Sequence, residues 1–191
     1  MSSRADAVRN RELLLSAAAE EFAENGVDAP ISAVARRAGL GKGTVFRHFP
    51  TKDDLVAALV VDHVTRLVDL ANDLVGAEDA GAAVLEFLSF AARQRQLLDI
   101  PFLAHVSDEV AARKQGELER AITALVDHAR EQGALRPDVT GIDVMRLMCV
   151  PNEIMRNLPD AQPDLWERYL AIVFDGLRPE GAHPLPHPPA A

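Results

Sequence analysis

Apolar residues recur at helical spacing along nearly the whole chain, and no strand-like alternation lasts more than a few residues. That pattern restricts the chain to an all-α fold. It is clearest near the start, where Leu14, Ala18 and Phe22 stand at i, i+4 and i+8 with Leu15 and Ala19 alongside. The stripe predicts a helix over 7–25, stopped by Gly26. Short helices are expected over 30–37, opening at Pro30, and over 42–49, separated by the Gly39-Leu40-Gly41 break. Pro50 ends the third helix, and Thr51 with Asp54 three residues on reads as a capping box for a long helix to Leu74. Further helices are expected over 81–95, around Pro101, from a Ser107 cap to a Gly133 stop, over 143–157 with a kink at Pro151, and over 164–177. The count is nine or so, arranged as an N-terminal three-helix domain (1–50), a linking helix (51–74) and a helical-bundle domain (75–178). The Pro-rich tail, 179–191, is expected to be disordered.

Several function classes drop out. The single cysteine, Cys149, excludes a disulfide framework and any multi-cysteine zinc site. His63, His105 and His128 are too scattered to suggest a metal, and no cofactor motif is present. No apolar run approaches the roughly 20 residues that span a bilayer, and MSSRADAVRNRELLL lacks a signal-peptide layout. A cytoplasmic protein without a membrane partner is expected. An enzyme would need a poised nucleophile or acid–base pair. The chain holds no GxSxG, HExxH or P-loop, and Cys149 with a distant His is the only thin candidate.

The 191 residues carry 20 basic and 29 acidic side chains, a formal charge of −9. Taken as an average, this opposes nucleic-acid binding. The distribution reverses that inference. The first 60 residues hold eight basic and eight acidic groups, so all of the −9 lies beyond them. Between Ala29 and Lys52 stand Arg36, Arg37, Lys42, Arg47 and Lys52 without one acid. A random solvated face would mix signs. Residues 31–49 read as a helix-turn-helix, with Val34, Leu40 and Val45 buried between two short helices and Gly39 at a turn that needs positive φ. Val45 and Phe49 face inward, so Thr44, Arg47 and His48 face out, and Gly43 permits close backbone approach. The outward donors suit phosphates and base edges.

LLxAAxxxFxxxG (14–26) followed by VARRAGLGKGTVFRHFPTKDDL (34–55) resembles the TetR family of transcriptional regulators. The resemblance covers residues 9–60 continuously; beyond them only helix count and the closing RYLAIVFDGLRP are similar. It implies a homodimer that binds a palindromic double-stranded DNA operator and is released from it by a small, hydrophobic ligand. Carried onto this chain, Thr44 and Arg47 would enter the major groove, Arg47 reading a guanine. Lys42 and His48 would meet phosphates or groove edges, Lys52 would grip a phosphate with nearby amides, and Ser32 and Arg37 would add backbone contacts. Two positions depart from the family pattern. Phe46 stands where Tyr is frequent, removing a phenolic contact, and Ala29-Pro30 replace a Thr/Ser pair.

In the body, Phe87, Phe90, Phe102, His105, Met145, Met148, Cys149 and Asn152 lie on helices expected to line a ligand pocket, although any one of them also suits plain core. Cys149 is expected to be a buried, inert thiol. The last helix is apolar on two sides, with Leu165, Tyr169 and Ile172 on one and Val173 on the other; with Met155 these form the expected dimer surface. A helical protein-interaction module is the alternative, but it leaves the acid-free basic block unexplained.

Overall fold

The computed structural model describes residues 4–93, 107–156, 158, 162, 164–180 and 182–187. Those residues form nine helices and no strand: α1 (Arg4–Asn25), α2 (Ile31–Arg37), α3 (Lys42–His48), α4 (Lys52–Leu74), α5 (Ala80–Arg93), α6 (Asp108–Glu131), α7 (Gly141–Leu147), α8 (Val150–Arg156) and α9 (Leu165–Leu177). The helix expected around Pro101 lies outside the described residues. The chain divides into two compact units, and the division falls inside α4, between His63 and Val64, and again inside α6, between Ala112 and Arg113.

In the first unit, the stripe anticipated on α1 is the core. Leu14, Ala18 and Phe22 are buried, and they are joined by Val34 of α2, Val45 of α3, Phe49, and Leu55, Val56 and Leu59 of α4. Leu40 is only half-buried. Gly39 takes φ +66°, so the turn after α2 closes in a backbone region where a β-carbon is strained. Three bonds lock that turn: Ala38 N–H to Val34 O at 2.9 Å, Gly39 N–H to Arg36 O at 3.1 Å and Leu40 N–H to Ala35 O at 3.0 Å. The capping box at α4 forms as read. Thr51 N–H donates to Asp54 Oδ2 at 3.0 Å, and Asp54 N–H donates to Thr51 Oγ1 at 3.0 Å.

The second unit is centred on Leu67 of α4, Val84, Phe87 and Leu88 of α5, Ile122, Leu125 and Val126 of α6, and Val144 of α7, all buried. Lys114 Nζ bonds Glu117 at 2.7 Å and Thr65 Oγ1 at 3.1 Å, which pins α6 to the latter part of α4. Trp166, Leu170 and Leu177 turn one side of α9 into the core.

Two expectations are corrected in this unit. The kinked helix over 143–157 is two helices. Pro151 has no N–H for Leu147 O, and the chain tightens instead, with Cys149 N–H reaching Arg146 O at 3.3 Å. α8 then restarts with Pro151 in its first turn, where the missing donor costs no bond. The first of these helices also begins earlier than Asp143. Thr140 is its N-cap, in a reciprocal box with Asp143, so Asp143 is the box's closing residue and not the start.

Part of the Pro-rich tail is also among the described residues. Residues 182–187 lie against the α6–α7 connection. The buried Arg136 donates to both carboxylate oxygens of Asp138 (2.6 and 2.9 Å) and to the carbonyl of His183. Leu185 N–H donates to Asp138 Oδ2 at 3.3 Å. Arg136 also gives its backbone N–H to Leu177 O at 2.9 Å, satisfying a carbonyl that the end of α9 leaves open. The Arg136 hydrogen bond holds the Asp138 carboxyl down at about 2.

Two outcomes are expected. A β-carbon at Gly141 would lie 2.6 Å from Thr123 Cα and 2.9 Å from its N, backbone that cannot swing aside. Gly141→Ala should therefore destabilise the protein by about 1–3 kcal/mol, despite the better helix former, in a denaturant titration. Because the Asp138 pKa lies below the ordinary 3.8, its hold on the tail is complete above that value and fades as pH falls towards 2. Protection of the Leu185 amide from hydrogen exchange should persist at pH 5, and Asp138→Ala should abolish it.

Candidate nucleic-acid interface

α3 owes its outward face to its inward one. Val45 is fully buried and Phe49, the residue that closes the helix, is nearly so. Positions on the other side are thereby turned to solvent: Lys42, Gly43, Phe46 and Arg47 are exposed, and Thr44 and His48 are half-buried. Lys42 Nζ sits 5.8 Å from the centre of the Phe46 ring, one turn along. The Arg47 guanidinium folds back on its own helix, with Nη2 on Thr44 Oγ1 at 3.0 Å and Nε on Gly43 O at 3.3 Å. Those bonds are solvent-exposed. Gly43 has nothing within 4 Å of where a β-carbon would stand. The fold itself thus makes no use of its missing side chain.

Around this face the other expected residues divide. Ser32 is exposed on the first turn of α2. Lys52 is half-buried at the start of α4, its ammonium 5.9 Å from the Phe22 ring. The amides of Thr51 and Asp54 are already taken by the capping box. Arg37 does not join the others. Its guanidinium is engaged by Glu21 at 2.9 Å, by both oxygens of Glu24, and by Glu20 at 3.5 Å. An arginine held by three carboxylates would have to give them up to reach a phosphate. The sequence placed Arg37 in an acid-free block, but the acids that meet it come from α1, 13 to 17 residues earlier. Arg11, unsuspected from sequence, lies with its guanidinium carbon 4.8 Å over the Phe49 ring and braces the close of α3.

The residues expected in the body are less united. Phe87 and Met148 are buried, and Phe90 and Met145 are half-buried. Cys149 is exposed, contrary to expectation; the break before α8 turns it outward. Asn152 lies on α8, while Phe102 and His105 fall outside the described residues. A shallow groove of about 400 Å³ is lined by Val139, Leu147, Ile172, Val173, Leu177 and Leu185, with Asp143 and Arg146 beside them. None of the expected pocket residues lines it, but two of the expected dimer residues do. On α9, Ile172 is 57% exposed, and Leu165, Tyr169 and Val173 are half-buried. Met155 of α8 is half-buried. Among the described residues no cluster of His, Cys, Asp and Glu could hold a metal, and no helix is long and apolar enough to cross a membrane.

Two short helices packed across a glycine turn, the second presenting an acid-free polar face, define a DNA-binding helix-turn-helix protein. The comparisons agree and are more specific. Residues 14–59 match the family model for bacterial regulatory proteins of the TetR family. Residues 57–179 match that for the C-terminal domain of SbtR-like transcriptional regulators. Among solved structures, the TetR transcription regulatory protein from Mycobacterium vanbaalenii is 33% identical, with a TM-score of 0.71 over 92% of this chain and 98% of that one. The TetR transcriptional regulator SCO0520 from Streptomyces coelicolor is 29% identical, with a TM-score of 0.69 over 90% and 99%. A third, from a study of the molecular basis for control of antibiotic production by bacterial hormones, is 25% identical, with a TM-score of 0.64 over 90% and 98%. The chain belongs to the TetR family and is a DNA-binding transcriptional regulator.

Gly43→Ala separates folding from binding. Ala should raise helix stability by about 0.5–1 kcal/mol, since nothing in the fold opposes the methyl group. If Gly43 serves the close backbone approach to a duplex that the sequence leads one to expect, the same substitution should weaken DNA binding in a gel-shift titration.

Proposed function

We propose that the protein is a homodimeric repressor that holds a palindromic operator through α3 and is released by a small hydrophobic ligand. The observation that carries this reading is the exposed, acid-free face of α3, on a chain whose acidic excess lies elsewhere. Arg47 would leave Thr44 and Gly43 to read a guanine in the major groove, with Thr44 beside it. Lys42, His48, Ser32 and Lys52 would fix the register on phosphates. Phe46 brings apolar contact where a tyrosine would bring a hydroxyl. Arg37 is left out of this set because its donors are committed to α1.

Support for the dimer comes from α9. A helix that buries Trp166 and Leu170 on one side while leaving Ile172 largely exposed on another has apolar surface to cover. A second copy related by a two-fold axis would cover it, with Leu165, Tyr169, Val173 and Met155 alongside. The ligand would enter the body near Phe87, Phe90, Met145 and Met148, whose side chains are apolar and, for the methionines, adaptable. The similarity to a protein studied in the control of antibiotic production by bacterial hormones supports a small-molecule signal. α4 begins in one unit and ends in the other, so a displacement of its later turns would carry to the α3 face and change half-site spacing. Weakening the operator 100-fold requires about 2.7 kcal/mol of coupling, within the usual range.

The test uses a duplex selected by the wild-type protein from a randomised library. Arg47→Ala should cost about 1–3 kcal/mol and relax preference at one base position per half-site. Lys52→Ala should weaken all sequences alike and reduce the slope of log K against log[salt] by about one. An Arg47→Ala protein with unchanged affinity and preference would overturn the assignment of α3. Sedimentation at micromolar concentration should give a dimer; a monomer would remove that part of the proposal.

A further inference from the structure

Four side chains join the C-terminal ends of α1 and α2. Glu20, Glu21 and Glu24 occupy two successive turns of α1. Three carboxylates so close repel one another, and Glu21 is also buried, with its side chain only 7% exposed. Two donors compensate that burial. Asn25 Nδ2 donates to Glu21 Oε1 at 2.9 Å, and Arg37 Nε donates to Glu21 Oε2 at 2.9 Å. Arg37 then forks its two terminal nitrogens across both oxygens of Glu24, and one of them also reaches Glu20 at 3.5 Å. The Arg37 hydrogen bonds hold the Glu24 carboxyl below the ordinary carboxylate range. Only a guanidinium has the planar set of donors for this arrangement; an ammonium is a single point charge.

The position matters as much as the bonds. Arg37 is the last residue of α2, and α3 begins at Lys42. The intervening turn is hydrogen-bonded back onto α2 at Val34, Ala35 and Arg36. Any rocking of α2 on α1 therefore passes to α3 with little loss. Val34 and Val45 resist separation of the helices, but apolar contacts are non-directional and resist rocking weakly. The ion-paired fork is directional.

We propose that Arg37 is a positioning residue for operator recognition, a clamp that holds α2 on α1 and so sets the angle at which α3 meets DNA. This rests on the reading of α3 as the recognition helix. A clamp acts on the fit between α3 and base edges. It leaves phosphate attraction untouched, since the Arg37 donors are committed to the carboxylates of α1.

The full-length protein is titrated with the selected duplex and with a scrambled duplex of equal length and composition, over a range of salt. Arg37→Lys keeps the charge and loses the fork. It should weaken the selected duplex about tenfold, leave the scrambled duplex within about twofold and leave the salt slope unchanged. Glu21→Gln should do the same, even though it removes a negative charge from a DNA-binding unit. The clamp is overturned if Arg37→Lys binds the selected duplex like wild type, if either variant loses both duplexes in parallel, or if Glu21→Gln binds more tightly. Arg47→Ala is measured beside them. Normal affinity in that variant would sink the reading of α3. Loss there, with both clamp variants unaffected, would sink the clamp alone.

Discussion

α2 and α3 are seven residues each, well under the roughly 12–15 at which an isolated helix becomes even marginal in water. Neither can exist without something to lie on. That support is the core of the first unit, where Leu14, Ala18 and Phe22 of α1 are buried along with Val34, Val45 and Phe49. The polar face of α3 is a consequence of this burial: the side of the helix that does not pack is the side left to solvent.

The electrostatics are organised on the same scaffold. A net charge of −9 is unfavourable for approach to a polyanion, yet the chain belongs to a family of DNA-binding regulators. The conflict is resolved by placement. From Ala29 to Lys52 no acid appears, and one of the five basic residues there is withdrawn to neutralise the acids of α1. What faces outward on α3 is cationic or neutral. The acidic excess belongs to the chain beyond residue 60.

In the second unit, apolar burial and terminal satisfaction work together. α9 packs Trp166, Leu170 and Leu177 inward, and Arg136 meets the carbonyl of Leu177 where the helix ends. That arginine and Asp138 also seat residues 182–187, so the proline-rich segment, which cannot form a helix, is held by side chains and not by its own backbone pattern. Leu185 consequently borders the groove that Ile172 and Val173 line.

Features coded by neighbours in sequence were legible from sequence. Helical period located the α1 stripe, Gly39 marked the turn, and Thr51 with Asp54 announced the start of α4. The signal for α7 is equally local, in Thr140 and Asp143 three residues apart, a capping box that places the start before Asp143. The partners of Arg37, the exposure of Cys149, the break before Val150 and the docking of the tail were not legible. Each depends on which distant segment lies alongside, and a charged side chain carries no record of where its partner will be. The sequence by itself determined an all-helical chain with a basic helix-turn-helix, because period, turn chemistry and charge spacing are local. Only the tertiary structure decided which of those basic residues remain available to DNA, because that depends on the acids that packing brings within hydrogen-bonding distance.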